Sequence, residues 1–75
     1  MTHSDLINLW PSLAQFARET GIHYQSVRVY RRNQMIPYWH WEAAIAAAER
    51  RGFKGVSYEA LANGAAEAKR ERAAA

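Results

Sequence analysis

Apolar residues recur along this chain at helical spacing, and no segment alternates with the period of a strand. Leu13, Phe16, Ala17 and Thr20 fall at i, i+3, i+4 and i+7, one stripe of a short helix. Ser12 stands before it as an N-cap, and Gly21 stands where it would end. The pattern restarts with Ile22, Val27 and Tyr30. On a helical wheel Val27 and Tyr30 lie to one side, while Gln25, Arg28, Val29 and Arg32 share the opposite side. The spacing predicts a helix over 12–20, a tight glycine turn, and a second helix from 22 to about 33 with a polar, basic outer face.

The flanking segments extend this pattern. Ser4 reads as the cap of a short first helix with Asp5 in its first turn. Leu6, Ile7, Leu9 and Trp10 cover one flank of it, Trp10 as a lid on the core, and Pro11 ends it. His3 reads as a terminal residue without a role. After the exit at Asn33 and Gln34, Met35 and Ile36 turn inward ahead of Pro37, which suits the first turn of another helix. There Trp41, Ala44, Ile45 and Ala48 form a second stripe, and Gly52 follows the basic end as a C′ residue. Trp41 is expected inside and Trp39 partly exposed. Val56 and Ser57 read as staple and cap of a fifth short helix anchored by Leu61 and stopped at Gly64. Residues 65–75 have high helix propensity but no stripe larger than alanine, so they read as a frayed or disordered tail. The expected organisation is one domain over 1–64 and a charged, Ala-rich tail over 65–75.

At 75 residues the chain is near the lower limit for an unassisted core, and it has no cysteine to staple it. The net charge is +3, and its distribution says more than its size: no Asp or Glu lies between Glu19 and Glu42, a window that holds Arg28, Arg31 and Arg32. A basic face with charge-balanced flanks is a footprint for phosphates. The apolar run from Ala43 to Ala48 is too short for a bilayer, and the first residues lack the basic start of a signal peptide. A cytoplasmic, nucleoid-associated location is therefore expected. The three histidines lack metal-ligand spacing and there is no glycine-rich phosphate loop. No catalytic residue, metal, cofactor or small-molecule ligand is expected, and the chain does not read as an enzyme.

The central segment resembles the helix-turn-helix of DNA-binding proteins. Ala17 matches the small residue at the helix crossing and Gly21 the turn residue four positions later. Phe16, Ile22, Val27 and Tyr30 match the apolar positions around them. With the Ile36-Pro37 step and Trp41 four residues beyond the proline, residues 4–63 resemble small phage and prophage regulators of the Cro type, in particular the YdaS-type group. The resemblance implies an all-α, five-helix, lambda-repressor-like DNA-binding domain that binds operator DNA, most often as a repressor. By position it implies base contacts from His23, Tyr24, Gln25, Arg28, Val29 and Arg32 on a recognition helix of about 23–33, with Arg32, a turn further on, reaching a base or a flanking phosphate, and phosphate contacts from Ser12 and Arg31. Arginine suits guanine, glutamine suits adenine, and Val29 suits a thymine methyl. A domain this small implies a homodimer on a palindrome. Cro proteins of the best-known kind dimerise through a C-terminal strand, and none is visible here.

Two other readings fit the same residues. VRVYRRNQMIP is similar to the segment of MerR and excisionase-like winged helices, which place a β-hairpin directly after it, whereas residues 38–51 read here as helix and leave no wing. A small helical adaptor or antirepressor would instead use the aromatics Tyr38, Trp39 and Tyr58. For residues 13–32 alone the plain alternative is an ordinary αα-hairpin with a glycine turn, and the basic second helix counts against it.

Overall fold

Side-chain caps fix where the first three helices start. In a computed structural model that describes residues 1–74, Thr2 rather than Ser4 caps α1 (His3–Ile7). The Thr2 hydroxyl accepts from the Asp5 N–H while the Asp5 carboxylate accepts from the Thr2 N–H, a reciprocal capping box. Ser4 sits inside the first turn instead, where its Oγ donates to the Arg31 carbonyl. Ser12 caps α2 (Leu13–Thr20), accepting from the Gln15 N–H at 3.1 Å. α3 (Tyr24–Asn33) begins after His23, whose Nδ1 accepts from the Gln25 N–H at 3.2 Å. A 3-10 turn (Tyr38–His40) leads into α4 (Trp41–Arg50), and α5 spans Tyr58–Ala74. The chain is all-helical, with five α-helices and no strand among the described residues.

The helix ends depend on left-handed residues. Gly21 closes α2 at φ 76°, its N–H donating to the Ala17 carbonyl at 2.9 Å. An added Cβ there would meet nothing within 4 Å, so the demand for glycine is one of dihedral angle and not of space. α3 ends the same way on a residue that lacks this freedom. Gln34 takes φ 58°, while the Met35 N–H donates to the Tyr30 carbonyl at 3.0 Å and the Gln34 N–H to Arg31 at 3.3 Å. This is the paired bonding of a Schellman end. The Gln34 side-chain oxygen is buried without a partner among the described residues. Gln34→Gly is expected to stabilise the domain by about 1 kcal/mol, because it relieves the left-handed cost. A denaturant midpoint that fails to rise would contradict this account.

The core gathers one face from every helix. Phe16, Val27 and Ile36 are fully enclosed, together with Leu6, Ile7 and Leu61, and Ile22 is buried beside them. α1 packs on α3 and α5, and α2 packs on α3 and α4. Ala44, Ala47 and Ala48 are completely buried, so α4 approaches its neighbours closely. Trp10 is the lid the sequence predicts, standing edge-on to Phe16 at 4.8 Å and to Phe53 at 5.1 Å. Leu9, expected on the same flank, is exposed. Trp10 Nε1 donates to the Glu19 carboxylate at 3.0 Å, Arg51 Nε donates to it at 2.7 Å, and Arg50 donates to the Glu19 carbonyl at 2.9 Å. The Arg51 guanidinium, with help from Trp10, holds the Glu19 carboxyl down to about 2. This clasp joins the C-terminal ends of α2 and α4.

The N-terminus departs most from expectation. His3 is enclosed, only 1% exposed. Its Nε2–H donates to the Leu61 carbonyl and its Nδ1 accepts from the Ile36 N–H, both at 2.7 Å. The two partners dictate the Nε2–H tautomer. The ring also stands edge-on to Trp41 at 5.8 Å. Gly64, read as a helix stop, lies inside α5 and is buried where the first residues cross. An added Cβ there would sit 2.5 Å from the Met1 carbonyl oxygen and 3.1 Å from the His3 ring. Beyond it α5 continues: Ala68 is buried, Glu67 accepts from the N-terminal amine at 3.2 Å, and Arg72 donates to the Asn33 carbonyl. The expected tail is thus helical through Ala74; its last residue, Ala75, lies outside the described residues.

Candidate nucleic-acid interface

α3 is anchored by one face and leaves the other to solvent. Val27 is fully enclosed and Tyr30 half-buried, while Gln25, Arg28, Val29, Arg31 and Arg32 are all exposed. Packing on the core therefore uses the side the wheel predicts. The exposed side opens into a groove of about 560 Å³ whose walls come from three helices. α3 supplies Gln25, Arg28, Val29, Arg31 and Arg32; Leu13 comes from the first turn of α2, and Ser4 and Asn8 from α1 and its C-terminal end.

The groove is electrostatically one-sided. None of its lining residues is acidic, and none of its three arginines pairs with a carboxylate among the described residues. Arg28 Nη1 donates to Gln25 Oε1 at 3.3 Å, which lays the two side chains together along one turn of α3. Arg31 Nε donates to Asn8 Oδ1 at 3.0 Å. Chemically this is a donor-rich surface with an apolar floor at Leu13 and Val29. It offers guanidinium forks to paired acceptors and methyl groups to apolar edges.

The predicted site residues fall into two groups. Gln25, Arg28, Val29, Arg31 and Arg32 come together in the groove. His23 and Tyr24 lie instead on a shallow depression beside the turn, with Ala14, Ala17, Arg18, Gly21 and Ile22. His23 Nδ1 is engaged in capping α3, which leaves Nε2 outward. Ser12 is exposed at the start of α2; its oxygen caps the helix and its hydrogen is left to donate. Ser4, Asn8 and Leu13 are the groove residues that sequence reasoning missed. Ser4 read as a helix cap and Leu13 as core, and the polar residues of a short helix and its end do not reveal what they pack beside.

Outside the groove, Tyr38 and Trp39 are 74% and 66% exposed and pack edge-on to each other at 5.4 Å. Among the described residues no three His, Asp or Glu stand close enough to hold a metal ion, and no helix is long and apolar enough to cross a membrane. Comparison with protein-family models, curated proteins and solved structures gives no match for this chain.

Proposed function

We propose that the chain is a sequence-specific regulator of transcription that lays α3 in the major groove of double-stranded DNA. In this reading α2, Gly21 and α3 form a helix-turn-helix within a repressor-like domain. The observation that carries it is the acid-free groove along the exposed face of α3, where a glutamine and three arginines with no carboxylate partner among the described residues converge. Arg28 and Gln25 read base edges, Val29 meets a thymine methyl, and Arg31 and Arg32 engage phosphates. His23 and Tyr24, at the start of α3, and Ser12, at the start of α2, border the duplex. One such helix covers little DNA, so the acting species is a homodimer on two half-sites about 34 Å apart. The resemblance to YdaS-type Cro-like proteins supports a repressor of phage origin acting at the nucleoid in the cytoplasm.

A winged helix fits less well, because Tyr38–His40 and α4 occupy the chain where its β-hairpin would stand. A protein-interaction module is favoured by the exposed aromatics Tyr38, Trp39 and Tyr58.

Binding to a random duplex library, followed by selection and salt titration, tests the proposal. Affinity is expected to fall steeply with salt, and selected sites are expected to share a palindrome. Arg28→Ala should lower discrimination at one base pair by about 1–3 kcal/mol. Arg32→Ala should weaken all duplexes alike and reduce the salt slope by about one. Absence of salt-dependent retention on duplex at low ionic strength would overturn the reading.

A further inference from the structure

Arg31 differs from the other two arginines in the groove because another helix segment holds it. Its Nε–H donates to Asn8 Oδ1 at 3.0 Å, and its backbone carbonyl accepts from Ser4 Oγ. Both contacts come from the N-terminal segment, 23 and 27 residues away in sequence. With Nε–H engaged, the edge left to a ligand is the pair of terminal nitrogens. These are coplanar and spaced to meet two oxygens of one phosphate. Arg32, one residue on, has no such partner among the described residues.

From this geometry we infer that Asn8 is a positioning residue: it fixes the Arg31 guanidinium as a preset clamp for a backbone phosphate, making α1 and its end part of the DNA interface. The inference rests on the proposed DNA-binding reading and assigns a role to a residue outside the helix pair. The advantage lies in entropy. Immobilising a long, rotamer-rich side chain at an interface opposes binding, and here Asn8 has restricted it beforehand. A phosphate contact carries no base information, so the effect is uniform across sequences.

The test is a set of binding titrations with the full chain, using a selected duplex and a random one, with wild type, Asn8→Ala, Arg31→Ala, Arg32→Ala and the two double variants. Asn8→Ala is expected to weaken both duplexes by about two- to tenfold. It should add fully to Arg32→Ala and add nothing to Arg31→Ala. Merely structural damage to α1 would lower binding in every background, so a loss in the Arg31→Ala background overturns the inference. So does wild-type affinity in Asn8→Ala, with DNA binding itself intact. If the wild type shows no salt-dependent duplex binding, the inference and the underlying reading fail together. In the free protein, the Arg31 Nε–H should exchange more slowly than that of Arg32, and equal exchange would also overturn the clamp.

Discussion

His3→Ala is expected to remove about 3–5 kcal/mol of stability, a large part of what a domain of this size possesses. The ring fills an enclosed site between α1, the segment before Pro37, and α5, and it uses both nitrogens. Alanine would leave the Ile36 N–H and the Leu61 carbonyl without partners, and would leave a cavity against Trp41. Thermal or denaturant unfolding measures the loss, and a change below about 1 kcal/mol would show that the ring is dispensable.

The same site dictates a pH dependence. Burial pushes the His3 imidazole below its ordinary value of 6.5, only partly opposed by its bond to the Leu61 carbonyl. The folded chain therefore holds His3 neutral while the unfolded chain takes up a proton. Stability should be full above about pH 6.5 and decline as pH falls below it, levelling only below the folded-state value. Glu19 and Asp5 are shifted down from their ordinary values of 4.5 and 3.8, so their contributions are lost at lower pH. The interval between about pH 5 and 6.5 thus isolates histidine. The His3→Ala chain should lose the His3 part of the slope there; an unchanged slope would assign it elsewhere.

Gly64→Ala tests the adjoining contact, and the expected sign is opposite to the usual one. Within a helix this change ordinarily stabilises by about 1 kcal/mol. Here the new methyl would sit 2.5 Å from the Met1 carbonyl oxygen, a backbone atom. The first residues must move, and the Thr2–Asp5 capping box and the His3 bonds move with them. A net loss of about 1–3 kcal/mol is expected, read as a lower melting temperature. A higher one would mean that the N-terminus yields freely.

The parts of the fold that were legible in the sequence are those fixed by local chemistry. The Ser12 cap, the left-handed Gly21, the glycine after α4 and the Val27 side of α3 all follow from residues within one or two helical turns. The N-terminal site was not legible, because its meaning comes from Ile36 and Leu61, far away in sequence. A histidine near a chain end and a glycine after a short apolar segment look terminal until the crossing of α1 and α5 is known. The end of α3 was hidden differently: Gln34 takes a left-handed angle with no glycine to announce it. Residues 65–74 lacked a stripe because their buried position, Ala68, is small. The groove's α3 wall was legible from the wheel. The opposite wall needed tertiary packing, which brings Asn8 to Arg31.

The three indoles sit in three different solvents. Trp10 is sealed into the core, Trp41 is half-buried with its Nε1–H donating to the Ile36 carbonyl, and Trp39 stands in water beside Tyr38. Emission from Trp39 should therefore be red-shifted and open to iodide quenching, while that of Trp10 should be blue-shifted and shielded. A chain keeping only Trp39 would report when a partner covers that ridge, and one keeping only Trp10 would report melting of the interior.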